Sequence, residues 1–183
     1  MTPLEAEKVM AEADLLVTES DVVAAISRVA RDITLELKDS NPLVLCVMNG
    51  GLIFGGQLLT QLCFPLEVGY IHATRYAHET RGATLDWIAK PKADFKGRTV
   101  LLLDDILDEG ITLAAIADYC RQQGASAVLM AALIEKLHLR KVTPGMRADF
   151  CGIEVGDRFL FGYGLDYKGY WRNAAGIYAI RGK

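Results

Sequence analysis

From Arg98 to Thr112 the chain reads RTVLLLDDILDEGIT, in which four carboxylates, Asp104, Asp105, Asp108 and Glu109, follow an apolar run and precede a glycine. Like charges at this density repel unless hydroxyl protons, backbone N–H dipoles or a divalent metal divide them. Spacing removes several chemistries. A calcium loop starting at Asp105 needs an oxygen ligand at its third place and a glutamate at its twelfth, where Leu107 and Ile116 stand. VLLLDD would suit the acidic strand of a P-loop enzyme, but the chain has no G-x-x-x-x-G-K-[ST] loop to hold nucleotide phosphates. NGGLIFGG lacks the G-x-G-x-x-G fingerprint, so its Gly51 and Gly55 are read as permitting close helix packing.

What remains is a turn whose backbone N–H groups, from about Asp108 to Thr112, point outward at a helix N-terminus, which is an anion site. The anion it suits is a phosphate. Asp104 and Asp105, at the end of the strand beside it, can accept hydrogen bonds from vicinal hydroxyls such as a ribose presents next to its 5′-phosphate. A sugar phosphate therefore meets both halves of the cluster.

The surrounding elements must hold that turn at a strand end. TESDVVAAISRVARDITLELKD places Val22, Ile26, Val29, Ile33 and Leu37 at three- and four-residue steps after a Ser20 cap, an amphipathic helix expected to pack across a sheet. PLVLCVM is a continuous apolar run, the mark of a strand covered on both faces, and NGG breaks it before LIFGGQLLTQLCF resumes at helical spacing. LEVGYIHATRY gives another strand, and the polar stretch AHETRGATLDWIAKPKADFKG after it has little periodicity. Strand, turn and helix recur at TVLLLDD, ILDEG and ITLAAIADYCRQQGA, with Gly124 as C-cap, and SAVLMAALIEK is the next strand. RADFCGIEV, DRFLFGYGLDY and AGIYAIRG read as shorter strands of a terminal cap. This alternation predicts an α/β fold with a mostly parallel sheet flanked by helices, in which ligands bind beyond the carboxyl ends of the strands.

With 183 residues, 51% of them hydrophobic, the chain fits a single domain spanning 1–183. A net charge of −3 provides no positive field for nucleic acid or an anionic membrane, so the expected partners are small molecules and copies of the chain itself, as a homodimer or homotetramer. Cys46, Cys63, Cys120 and Cys151 show no C-x-x-C spacing and are read as reduced core residues. The N-terminus lacks a signal layout and no apolar run is long enough to cross a membrane, so a cytoplasmic location is expected.

The pattern hydrophobic4-[DE]-D-I-x-D-T-G-x-T, here VLLLDDILDEGIT, resembles the phosphoribosyl pyrophosphate (PRPP) signature of type I phosphoribosyltransferases. The resemblance extends from about Leu43 onward to the hypoxanthine-guanine branch of purine salvage. VLCVMNGG stands as the pyrophosphate loop, IEK as the base-facing strand and DRFLFGYGLDYKGYWRN as the purine hood. It implies the type I phosphoribosyltransferase fold, with a core of about 40–150, a flexible lid of about 75–90, and a hood from 1–20 and 150–183. It also implies a Mg2+-dependent transfer from PRPP to hypoxanthine or guanine, giving IMP or GMP and pyrophosphate. By this resemblance Asp104 and Asp105 hold the ribose hydroxyls and a Mg2+, and Asp108 accepts a proton near N7 of the base. The backbone of Glu109, Gly110 and Ile111, with Thr112, wraps the 5′-phosphate. Asn49 and Gly50 turn their N–H groups to pyrophosphate through a cis peptide between Met48 and Asn49, and Arg172 contacts the same group. Lys136 donates to the 6-oxo group, Phe159 stacks on the base, the Leu160 carbonyl accepts from its N1/N2 edge, and Asp166 lies near a second Mg2+. Arg75 and Tyr76 open the lid.

Two positions depart from the family pattern. Glu109 stands where threonine is frequent, so its carboxylate is expected to point away from the phosphate. Asn49 stands where lysine is frequent, leaving pyrophosphate to backbone, Mg2+ and Arg172. His72, His78 and His138 have no metal-site spacing and are read as surface or packing residues, and Trp87 and Trp171 fall in the lid and hood. Two rival readings share the fold: a xanthine-preferring transferase, and a regulator that senses PRPP or nucleotides.

Overall fold

The computed structural model describes residues 1–75 and 85–182, with Arg75 and Leu85 through their backbone alone. The chain opens with α1 (Pro3–Glu12), β1 (Asp14–Thr18), α2 (Glu19–Leu37), β2 (Leu43–Met48), α3 (Gly51–Leu59) and β3 (Glu67–Arg75). It continues through β4 (Leu85–Ala89), β5 (Thr99–Leu107), α4 (Ile111–Gln122), β6 (Ala127–Lys136), β7 (Phe150–Val155), β8 (Leu160–Phe161) and β9 (Gly176–Ala179). The stripe Val22, Ile26, Val29, Ile33 and Leu37 is buried as its spacing requires. Its cap is Thr18 and not Ser20: the Thr18 hydroxyl accepts from the Asp21 N–H, one turn in, so the helix begins a residue before the expected cap.

Six strands form one sheet in the order β4-β3-β2-β5-β6-β7, parallel throughout except for β4. Because helices cover both faces, the runs on β2 and β5 are apolar at every position, and alternate side chains enter two cores. Leu101 and Leu103 join Val44, Cys46 and residues of α2 and α3 on one face. Leu102 and Val100 join Leu43, Leu45 and residues of α4 on the other. Truncating a fully buried leucine such as Leu102 to alanine costs about 2–5 kcal/mol in settings of this kind.

The polarity of the connections fixes where a ligand can sit. The chain leaves β2 for α3 on one face and leaves β5 for α4 on the opposite face, so a crevice opens between these neighbouring strands at their carboxyl ends. β2 pairs with β5 only as far as Cys46 and Leu103, whereas β5 continues past the carboxylate pair to Leu107 along β6. Asp104 and Asp105 thus lie within a strand that outruns its neighbour, rather than at its last residues.

Above the crevice a second sheet, β1-β9-β8, is antiparallel and joins residues near both ends of the chain. Trp171 fastens it to α1 by donating its indole N–H to the Ala6 carbonyl at 2.7 Å. Three expectations need correction. Phe150–Val155 belongs to the core sheet as a parallel partner of β6 and not to the hood. Leu85–Ala89, assigned to an aperiodic lid, is a strand paired with β3, and Trp87 packs on Tyr119 with ring centroids 4.8 Å apart. Cys63 is exposed, since its neighbour Leu62 fills the core position instead, while Cys46 and Cys120 are buried and all four thiols are free. Tyr76, His78 and the remainder of the expected lid through residue 84 lie outside the described residues.

Candidate active site

A cavity of about 390 Å³ occupies the crevice, within the range typical of small-molecule sites. Its walls come from β2, β3, β5 and β6, the N-cap of α3, the first turn of α4, and the hood. Gly110 is the N-cap of α4 and offers no side chain to its first turn, so the N–H groups at Ile111, Thr112 and Leu113 open on the cavity. Glycine is required there: φ is +80°, and an added Cβ would lie 2.5 Å from Sδ of Met146. Glu109 does not line the cavity, and its carbonyl accepts from the Val142 N–H at 2.7 Å. A second uncapped helix end faces the same space, because Gly50 caps α3 without a side-chain hydrogen bond and lines the cavity with Asn49. The Met48–Asn49 peptide is cis.

Between the two helix ends stand Asp104 and Asp105, both buried. The Asp105 N–H donates to Asp104 Oδ1 at 3.0 Å, and among the described residues Arg172 brings its Nη1 to 3.9 Å from Asp105 Oδ2. Burial, together with the Asp105 charge alongside, holds Asp104 well above the usual carboxylate range. Burial also raises Asp105, against the opposing pull of Asp104 and Arg172. A desolvated like-charged pair of this kind keeps a proton until a cation or hydroxyl protons replace it. Arg172 is shared, as it donates to the Gly164 carbonyl and to Asp166 Oδ1, while Asp166 Oδ2 accepts from the Gly169 N–H at 2.7 Å.

On the far wall Lys136, buried at the end of β6, places Nζ 2.9 Å from Asp108 Oδ2 and 3.9 Å from Asp157. Burial would raise the Asp108 carboxyl, but the Lys136 and His138 hydrogen bonds outweigh it and hold the group below its ordinary value. Phe159 lines the same end of the cavity, 46% exposed, in an edge-to-face contact with Tyr167, and Leu160 of β8 lies beside it. Asp108, His138 and Asp157 bring ligand atoms within 4.8 Å of one another, but the Lys136 ammonium and the Arg140 guanidinium already match the two carboxylates.

The expected residues therefore converge, apart from Glu109, which does not line the cavity, and Arg75 and Tyr76, for which the described residues provide no side chain. Sequence spacing missed the loop between β6 and β7. His138 was read as packing, yet it bonds to Asp108 at 2.6 Å. Lys141 donates to the Leu107 carbonyl at 2.9 Å, directly beneath the carboxylate turn, and the Ala148 N–H is held by buried Glu135. Gly164 was also missed: with φ at +109°, a Cβ there would lie 2.4 Å from the Gly50 carbonyl. No local signal marked His138, which lies past the end of β6 in a bend.

Comparison with known proteins agrees with this geometry. Residues 14–168 match the phosphoribosyl transferase domain. The hypoxanthine-guanine phosphoribosyltransferase of Bacillus subtilis is 31% identical over 160 residues, covering 87% of this chain and 88% of that protein. The hypoxanthine-guanine-xanthine phosphoribosyltransferase of Tritrichomonas foetus is 29% identical over 159 residues, covering 87% and 86%. Among solved structures, the hypoxanthine phosphoribosyltransferase from Trypanosoma cruzi in complex with the product IMP superimposes with a TM-score of 0.84 at 26% identity, over 93% of this chain and 96% of that one. With the matched domain spanning most of the sequence and its signature turn lying at the switch point of the sheet, this chain belongs to the phosphoribosyltransferase family.

Proposed function

We propose that the protein transfers the 5-phosphoribosyl group of PRPP to a 6-oxopurine, hypoxanthine or guanine, yielding IMP or GMP and pyrophosphate, with Mg2+ as cofactor. The observation that carries the choice of base is the Lys136–Asp108 pair, 2.9 Å apart on the cavity wall. A cationic donor beside a carboxylate acceptor complements the edge of a 6-oxopurine, which offers the O6 acceptor beside the N7–H donor. The base would enter between them, O6 taking the ammonium and N7–H meeting Asp108, with Phe159 against its face.

The two uncapped helix ends suit the two anionic groups of PRPP, the α4 end for the 5′-phosphate and the α3 end for pyrophosphate. Asp104 and Asp105 would accept from the ribose hydroxyls. As the C1′–O bond to pyrophosphate loosens, its electron pair leaves with the pyrophosphate and positive charge grows on the ribose, where nearby carboxylates strengthen their hold. Asp108 takes the proton from N7, and the density left in the ring forms the new bond from the base to C1′.

The acidic pair also fits a divalent cation, being buried, like-charged and, among the described residues, approached by Arg172 at 3.9 Å. Asp104, Asp105 and Asp166 are the residues that would hold Mg2+, directly or through water. When bound, the ion neutralises pyrophosphate as a leaving group. A spectrophotometric assay of guanine, hypoxanthine, xanthine and adenine with PRPP, with and without Mg2+, tests the proposal. Turnover of guanine and hypoxanthine that stops on chelation is expected. Absence of turnover with any purine, or adenine used as well as guanine, would overturn it.

A further inference from the structure

Each oxygen of the Asp108 carboxylate has its own holder. Oδ2 takes Lys136 Nζ at 2.9 Å, and Oδ1 takes His138 Nε2 at 2.6 Å. The Arg140 backbone N–H donates to Nδ1 of the same imidazole at 3.1 Å, so the ring proton is on Nε2 and points at Asp108. The His138 side chain is 5% exposed and does not line the cavity, whereas Asp108 does. Its support is anchored in turn, because the Arg140 guanidinium grips both oxygens of Asp157 at 2.5 and 3.0 Å.

These contacts are unequal once a base arrives. If a 6-oxopurine enters between Lys136 and Asp108, the lysine contact is exchanged for O6 and no longer restrains the carboxylate. The χ2 torsion of aspartate is broad, so a carboxylate held at neither oxygen turns readily. His138, standing behind Asp108 and out of reach of the cavity, is the contact that persists.

We infer that His138 is a positioning residue for base recognition: by holding Oδ1 from behind, it keeps Oδ2 presented to the N7–H of the incoming purine while Lys136 engages O6. The inference rests on the transfer reaction proposed above. It assigns a role to the loop between β6 and β7, which otherwise touches no ligand.

Two variants separate the donor from the ring. His138→Phe keeps the ring volume and removes the N–H, whereas His138→Gln restores an amide N–H near the position of Nε2. The expected result for His138→Phe is a KM for guanine and hypoxanthine raised about 10- to 100-fold, the range for a hydrogen bond to a charged group, with the KM for PRPP and the Tm near wild type. His138→Gln should recover most of that loss. An unchanged KM for the base in His138→Phe, or a glutamine variant no better than phenylalanine, would overturn the role alone. A wild-type enzyme that consumes no 6-oxopurine would overturn the proposed reaction and this role with it. Ring 15N NMR of the ligand-free wild type tests the tether without turnover. Protonated Nε2 with bare Nδ1, and an Nε2–H signal that moves in Asp108→Asn, is expected; the opposite tautomer would overturn the inference.

Discussion

Substituting Gly50 by alanine should disable PRPP use without touching any ligand atom. Gly50 has φ −56° and ψ −50°, ordinary helical values, so alanine adds no backbone strain. The new Cβ, however, would lie 2.4 Å from Oδ2 of Asp105 and 2.5 Å from its Cγ and Oδ1. Ordinary contact begins at 3.4 Å, so the carboxylate must retreat by about 1 Å. Asp105 is itself buried, so its carboxylate has little open space into which to retreat. A misplacement of about 1 Å in a group that orients the reacting sugar costs about 10²-fold. Initial-rate measurements of Gly50→Ala should therefore show kcat/KM for PRPP down by about 10²-fold, with the KM for the base little changed. Gly56→Ala is the control: it lies in the same helix with nothing within 4 Å of its Cβ, and alanine there should add up to about 1 kcal/mol of stability at full activity. A Gly50→Ala enzyme within about threefold of wild type in kcat/KM for PRPP would refute the argument that Asp105 is boxed in.

Asp108→Asn should slow turnover about 10²–10⁴-fold while PRPP still binds, because the amide keeps the shape but cannot take the N7 proton; unchanged kcat would remove Asp108 from the chemistry. Lys136→Ala should weaken 6-oxopurine use far more than PRPP binding, and adenine, whose 6-amino group opposes the ammonium donor to donor, should be a very poor substrate for the wild type in the same assay. Asp14 is held below its ordinary value by Arg158 and then Arg181, so its stabilising contribution is present above about pH 4 and is lost as pH falls through the folded-state value. Asp14→Asn should accordingly lower the Tm at pH 7 and match wild type once the pH is below the folded-state value; a gap that survives there would place its effect elsewhere.

The central strands and the carboxylate turn were legible because their signals are local. A strand buried on both faces must be apolar at every position, as Leu43–Met48 and Val100–Leu103 are, and a glycine at φ +80° marks where Gly110 turns into α4. Partner choice is another matter. FCGIEV reads as a strand, yet nothing within it says that it joins β6 rather than the hood, since that is decided by pairing with Ala131–Lys136. LDWIA was submerged in polar neighbours, and its place beside β3 depends on contacts such as Trp87 with Tyr119. His138 escaped for the same reason: its partner Asp108 is thirty residues earlier, and a tether between two side chains leaves no fixed spacing to recognise.

The hood sheet imposes an order on assembly. Every strand of the core is complete once Val155 has been made, but β8, which carries Leu160 next to Phe159, pairs only with β9, and β9 pairs in turn with β1 from the start of the chain. β1 must therefore wait for β9, and closing that loop costs chain entropy that nearest-neighbour pairing avoids. A ribosome-bound chain that has reached Val155 already holds the whole carboxylate turn yet lacks β8 and β9. The cavity wall at Phe159 and Leu160 thus depends on a pairing between strands far apart in the sequence.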